Sequence, residues 1–211
     1  MFTHFTIIRH GETEANLKSV IQGQTDVPLD AVGEDQARRL GRRWQGKSFD
    51  VVYSSDLSRA MRTAELALPG QKPVPTPELR EMDLGDWCGL SVAEVAARFP
   101  EEWKAFRSGS IECRASGGES RREVLRRTEK FFLETAHRHA GKEILVVTHG
   151  GVLRAFFTMI MGGEGASFPL QPATGNTGIT TADLDLDTGL WRLICWNDTA
   201  HLGGAFGGDS Y

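Results

Sequence analysis

Three cysteines in 211 residues, Cys88, Cys113 and Cys195, are too few and too widely spaced for a disulfide framework or a Cys-x-x-Cys metal site. Any large excess of one charge is missing as well. The net charge of −4 at pH 7 removes the electrostatic case for nucleic acid or an acidic membrane as partner. No uncharged run approaches the roughly 18 apolar residues of a membrane span. The opening Met1-Phe2-Thr3-His4 lacks the basic-then-apolar order of an export signal. Repeats and low-complexity segments are missing too. What remains is the expectation of a cytoplasmic protein acting on a small molecule. An anionic ligand would have to be caught by a local basic pocket, and a homodimer is left open.

What is present alternates in period. Phe5-Thr6-Ile7-Ile8, Asp50-Val51-Val52-Tyr53 and the stretch from Glu143 to Thr148 are short apolar, β-branched runs ending at small or polar residues. Continuous apolar runs predict strands covered on both faces, as in a parallel sheet. Helical patterns lie between them. Asp30 is placed to cap a helix whose Ala37, Leu40 and Trp44 share a face. Ser55 or Asp56 is placed to cap a second, with Leu57, Ala60, Met61, Ala64 and Leu68 in register. A long third helix is expected from about Glu119 to His139, and Val152, Phe156, Met159 and Ile160 mark a fourth. Ala182, Leu184 and Leu186 then alternate with Asp183, Asp185 and Asp187 before Thr188-Gly189 turns the chain toward Trp196. This predicts an antiparallel hairpin with the aspartates on the wet face of an edge strand.

Strands alternating with helices give a layered α/β fold with a mainly parallel sheet. The stretch from about Glu78 to Gly118 breaks the rhythm with short helical pieces, aromatics and a Gly-rich exit. It reads as a helical lid inserted over the sheet edge, within a single domain spanning 1–211. The Gly-rich tail, Gly203 to Tyr211, is expected to be loosely ordered.

In such sheets ligands collect outside the carboxyl ends of the strands. Two predicted strands end there in His-Gly steps, His10-Gly11 and His149-Gly150-Gly151. Each precedes a helical pattern, whose N-terminal N–H groups favour an anion. Arg9 precedes the first histidine, and Arg59 lies in the helix after Ser55-Asp56-Leu57. Two guanidiniums and two imidazoles converging on one point would make a cradle for phosphate oxygens. The histidine spacings match no zinc motif. Asp183-x-Asp185-x-Asp187 starts like a calcium loop, but Thr188 stands in place of the glycine and Ile194 in place of the closing glutamate. Arg121, Arg122, Arg126 and Arg127 read as a solvated helix face.

The run Ile7-Ile8-Arg9-His10-Gly11-Glu12-Thr13-Glu14-Ala15-Asn16 resembles the RHG signature of the histidine phosphatase (phosphoglycerate mutase-like) superfamily. The match continues at Gly23-Gln24-Thr25-Asp26, at Ser54-Ser55-Asp56-Leu57-Ser58-Arg59 and at Leu79-Arg80-Glu81-Met82-Asp83. It resumes at Val147-Thr148-His149-Gly150-Gly151 and at Asn176-Thr177-Gly178-Ile179. The resemblance implies a three-layer α/β/α sandwich with one antiparallel edge strand. It implies His10 as a nucleophile that becomes phosphohistidine, with Arg9, Arg59 and His149 holding the phosphoryl oxygens. Glu81 is then the general acid and base, with Asp83 as its nearest competitor. Asn16, Gln22, Gly23 and Gly150 are implied as substrate-binding positions, with no metal and no cofactor.

Within that family the region 78–118 holds Arg98, Arg107 and Arg114 but no adjacent arginine pair, and offers Trp87, Phe99, Trp103 and Phe106 instead. Together with Gly117-Gly118-Glu119-Ser120 this resembles the broad-specificity and α-ribazole-phosphate phosphatase branch. A phosphomonoesterase for small phosphorylated metabolites is the expectation. The alternatives are a phosphoglycerate mutase, a phosphatase narrow for phosphoserine or α-ribazole phosphate, and a catalytically silent phospho-ligand binder.

Overall fold

Ile7 and Ile8 are neighbours in the chain, and both are fully buried. Successive side chains on a strand point to opposite faces, so the strand that carries them is covered on both sides. That strand is β1 (Phe2–Arg9), at the centre of a six-stranded sheet. The computed structural model describes residues 1–163 and 172–203. In chain order the other strands are β2 (Val51–Ser54), β3 (Val74–Pro75), β4 (Glu143–Thr148), β5 (Ile179–Asp185) and β6 (Trp191–Asp198). Their order across the sheet is β3-β2-β4-β1-β5-β6. β1 pairs in parallel with β4, and β2 in parallel with both β4 and β3. β5 runs antiparallel to β1 and to β6. The reversed strand thus sits one place in, and its hairpin partner forms the edge.

The helices are α1 (Glu14–Leu17), α2 (Ala31–Arg43), α3 (Ser58–Ala67), α4 (Val92–Arg98), α5 (Pro100–Arg107), α6 (Arg121–Arg138) and α7 (Gly150–Ile160). Ile8, Val52, Leu145 and Val147 face α2 and α3 in one core cluster. Ile7, Tyr53, Ile144 and Val146 face α6 and α7 in the other. Three layers follow from this two-residue alternation. Phe132, fully buried, meets Phe156 at 4.6 Å and Phe5 at 5.2 Å between ring centroids. Burying each such ring stabilises the layer contact by about 1.5–3 kcal/mol.

Asp30 caps α2 as the sequence predicts, and α6 has a cap of its own. Asp30 Oδ1 accepts from Gly33 N at 2.8 Å. Ser120 and Glu123 close a reciprocal capping box at the start of α6. The start of α3 differs. Its N-cap is Leu57, with no side-chain cap. Asp56 instead accepts from Arg80 Nε at 2.7 Å and Nη2 at 2.6 Å, and Ser55 turns toward His149.

Asp183 also departs from expectation. It lies inside the sheet, 7% exposed, with its carboxylate between His4 Nδ1 at 2.8 Å and Arg192 Nη2 at 2.6 Å. Those partners come from the strands on either side, so the alternation does not mark a wet edge. All three cysteines are free. Apart from Gly203, the Gly-rich tail lies outside the described residues. Among the described residues no helix is long and apolar enough to cross a membrane.

Candidate active site

β1 and β4 end side by side, and the ladder continues one step beyond them through His10 N–H to Thr148 O at 2.9 Å. This places His10 and His149 next to each other at the carboxyl edge, with ring centroids 5.0 Å apart. Both are buried. His10 Nδ1 lies 2.7 Å from the Gly11 carbonyl. A carbonyl can only accept, so Nδ1 carries the proton and Nε2 keeps its lone pair. The peptide behind the ring is fixed too. Asn176 Nδ2 donates to His10 O at 3.0 Å, and Thr177 N donates to Arg9 O at 3.1 Å. Thr177 holds a φ of +54°, strained for a β-branched residue, and its hydroxyl meets His201 Nε2 at 2.9 Å.

Backbone carbonyls aim the two arginines. Arg9 Nη1 donates to Thr174 O at 2.5 Å. Arg59 donates through Nη1 to Thr25 O at 2.7 Å and through Nη2 to Gly23 O at 2.8 Å. Gly23 adopts a φ of +50°, which glycine tolerates without strain and which turns its carbonyl onto Arg59. Both guanidiniums act on both histidines. Burial first, then Arg59 and Arg9, holds His10 well below the ordinary imidazole pKa. Burial, Arg59, His10, Arg9 and Arg127 do the same to His149. Both imidazoles are therefore neutral near pH 7, the state a nucleophilic His10 needs.

His149 Nε2 sits 2.8 Å from Ser55 Oγ, which orients the ring. Its Nδ1 meets no hydrogen-bond partner among the described residues. His149 is also the N-cap of α7, so the helix presents its first N–H groups here. One of these, Gly151 N, donates to Glu81 Oε1 at 2.9 Å, and Met82 N donates to the same oxygen at 2.8 Å. Among the described residues, Oε2 has only the longer 3.3 Å contact to Gly151 N. Glu81 is 7% exposed, and it shares this rim with His149 and the start of α7.

Four of the five expected catalytic side chains, Arg9, His10, Arg59 and His149, thus gather in one buried cluster, with Glu81 at its rim. Asp83 Oδ1 accepts from Gly85 N at 3.0 Å, whereas Glu81 reaches the first turn of α7. Gln22 is buried, and its Oε1 lacks a donor among the described residues. Asn16 Oδ1 accepts from Thr13 N at 3.2 Å in the capping box of α1, with Asn176 Nδ2 at 3.5 Å. Gly150 lies against Arg9, whose Cζ is 3.8 Å from where a Cβ would stand. Sequence reasoning gave Ser55 only a candidate capping role, and gave none to Thr174 or Asn176. For a place in the site, the only signal for Ser55 and Asn176 was their position inside matched motifs.

Trp87, Phe99, Trp103 and Phe106 pack together, the other three rings tilted or edge-on to Trp87 with centroids 5.4–6.5 Å from it. Trp87 is fully buried. These rings hold the segment around α4 and α5 together. Arg121 lies over Phe106 at 4.3 Å and donates to its carbonyl at 2.8 Å, and Arg127 is bonded to the Glu81 loop. Neither belongs to a solvated face. Among the described residues no three His, Cys, Asp or Glu side chains gather to hold a metal ion.

A buried pair of neutral histidines between two arginines, at the carboxyl edge of an α/β sheet, defines a class of phosphoryl-binding protein. Residues 5–199 match the histidine phosphatase superfamily (branch 1), and the chain belongs to that family. It is 35% identical to phosphoglycerate mutase-like protein 4 of Arabidopsis thaliana, covering 99% of this chain and 93% of that one. It is 34% identical to a metal-independent phosphoserine phosphatase of the same plant, covering 95% and 83%. A mutant phosphoserine phosphatase of Entamoeba histolytica, solved with phosphoserine, superposes with a TM-score of 0.84 at 31% identity, covering 95% and 99%.

Proposed function

We propose that this protein is a metal-independent phosphomonoesterase that hydrolyses small phosphorylated metabolites through a phosphohistidine on His10. The carrying observation is the Nδ1 contact to Gly11 O at 2.7 Å, which leaves the Nε2 lone pair as the nucleophile inside a ring of Arg9, Arg59 and His149. In the first step Nε2 bonds to phosphorus as the ester P–O bond breaks, and Glu81 gives its proton to the departing alkoxide. In the second, Glu81 takes a proton from water, the water oxygen bonds to phosphorus, and the N–P bond breaks to release phosphate. The arginines and His149 hold the phosphoryl oxygens while charge builds on them. Asn16, Gln22, Gly23 and Gly150 line the same site in this reading, and the segment 78–118 is its lid. The histidine supplies the nucleophile that a metal-bound water supplies elsewhere, which supports metal independence. A plant relative carries that description in its name.

The expected result is that p-nitrophenyl phosphate is hydrolysed in excess EDTA and that His10→Ala abolishes turnover. Activity lost in EDTA and restored by zinc or magnesium would overturn the metal-free mechanism. Isomerisation of 3-phosphoglycerate faster than its hydrolysis would replace the phosphatase by a mutase.

A further inference from the structure

Glu81 lies in a stretch, 80–84, that is neither helix nor strand. Nothing in its own secondary structure fixes the backbone of a residue whose side chain must be placed to within tenths of an ångström. Side chains from elsewhere fix it. Arg127, on α6, donates from Nη1 to Glu78 O at 2.7 Å and from Nη2 to Glu81 O at 3.1 Å. The same guanidinium grips Glu119 through Nε at 2.9 Å and Nη2 at 3.0 Å. Glu119 Oε2 in turn accepts from Asp83 N at 2.9 Å. One planar group therefore holds carbonyl 78, carbonyl 81 (shared with Gln24 Nε2 at 3.1 Å) and, through Glu119, the amide of 83. The pair is well covered, with side chains 18% and 24% exposed.

We infer that Arg127 is the positioning residue of the acid, and that Glu119 orients it. Arginine suits the task because its donors lie in a rigid planar fork, whereas a lysine ammonium is a point charge on a flexible stem. Arg127 touches no reacting atom. It acts by keeping Glu81 against Gly151 N and the oxygen of the leaving group. The inference rests on Glu81 being the acid.

The test is kcat/KM, which reports the steps through phosphohistidine formation, for p-nitrophenyl phosphate and for an alkyl phosphate with a poor leaving group. Wild type, Arg127→Lys, Glu119→Gln, Glu81→Gln and the Arg127→Lys/Glu81→Gln pair are compared. The expected loss for Arg127→Lys is about 10–10²-fold on the alkyl ester, the range that a displacement of about 1 Å produces. The loss on p-nitrophenyl phosphate is smaller, and inhibition by inorganic phosphate stays within about twofold of wild type, since the cradle is untouched. In the Glu81→Gln background the further loss is expected to be under about twofold, because the residue it positions is gone. Equal losses on both esters, or the full loss repeated in the Glu81→Gln background, would overturn the inference and make Arg127 merely structural. If Glu81→Gln itself shows no leaving-group dependence, the acid assignment fails and Arg127 falls with it. A normal Glu81→Gln result beside an indifferent Arg127→Lys rejects Arg127 alone. Should Arg127→Lys not fold, Glu119→Gln is judged by the same criteria.

Discussion

Replacing Gly151 by alanine would put a methyl carbon 2.2 Å from Glu81 Oε1, 3.3 Å from its Cδ and 3.4 Å from Met82 Cβ. Ordinary C···O contact begins near about 3.3 Å, so the carboxylate must retreat by about 1 Å. Oε1 is the far end of a flexible side chain and can yield, at the cost of the hydrogen bonds it accepts from Gly151 N and Met82 N, about 1 kcal/mol each. The backbone at Gly151 is helical, and the preference for alanine over glycine in a helix, up to about 1 kcal/mol, offsets part of that loss. Catalysis should suffer more. A 1 Å displacement of a reacting group costs about 10²-fold, equivalent to about 2.7 kcal/mol of transition-state stabilisation. The assay is kcat/KM on an alkyl phosphate and on p-nitrophenyl phosphate, with a thermal melt on the same preparation. The alkyl ester is expected to lose about 10²-fold and the nitrophenyl ester less, with the Tm lowered by only a few degrees. A folded Gly151→Ala protein within threefold of wild type on the alkyl ester would refute the reasoning.

Two further expectations come from the same cluster. Ser55→Ala removes the hydroxyl 2.8 Å from His149 Nε2, and one such hydrogen bond contributes about 1 kcal/mol. Inhibition by inorganic phosphate should weaken about fivefold, and an unchanged inhibition constant would mean that Ser55 does not orient the ring. His10 and His149 are held neutral by burial and the neighbouring arginines. Below the ordinary histidine pKa of about 6.5 the unfolded chain takes up protons that these two residues in the fold do not. The unfolding free energy should then fall with pH below 6.5, by up to about 1.4 kcal/mol per unit for each histidine. Urea denaturation at pH 7.5 and pH 5, without phosphate, measures this, and equal or greater stability at pH 5 would contradict it.

Much of the sheet was legible because its signals are local. Ile7-Ile8 and Ile144 to Val147 are apolar on both faces whatever else the chain does, and Asp30 caps α2 using residues three positions away. The histidines and arginines were legible because each sits inside a motif tied to a strand end or a helix start. What escaped depends on distant partners. Asp183 looks solvated until His4 and Arg192 arrive from neighbouring strands. Arg127 looks solvated until the loop 46 residues earlier in the chain folds under it. β3 is only two residues long, one of them proline, and shows no pattern of its own. Thr174 contributes a backbone carbonyl, which no side-chain pattern reveals.

The neck of the excursion around α4 and α5 has a consequence for how this molecule can change. Its two ends meet. Glu119 N donates to Asp83 O at 2.8 Å and Asp86 N to Ser116 O at 2.9 Å. A Cβ on Gly85 would stand 2.1 Å from Ser116 O, so only glycine fits the junction. Everything between departs from and returns to this junction, with further backbone hydrogen bonds to Ser19 and Ile21, and its aromatic cluster is organised around Trp87. Lengthening, shortening or exchanging that loop alters closure entropy only slowly with its length and leaves the endpoints where they are. On the proposed reading, in which this segment is the lid, exchange at the junction is expected to change which phosphate esters are turned over while the histidine pair keeps its place.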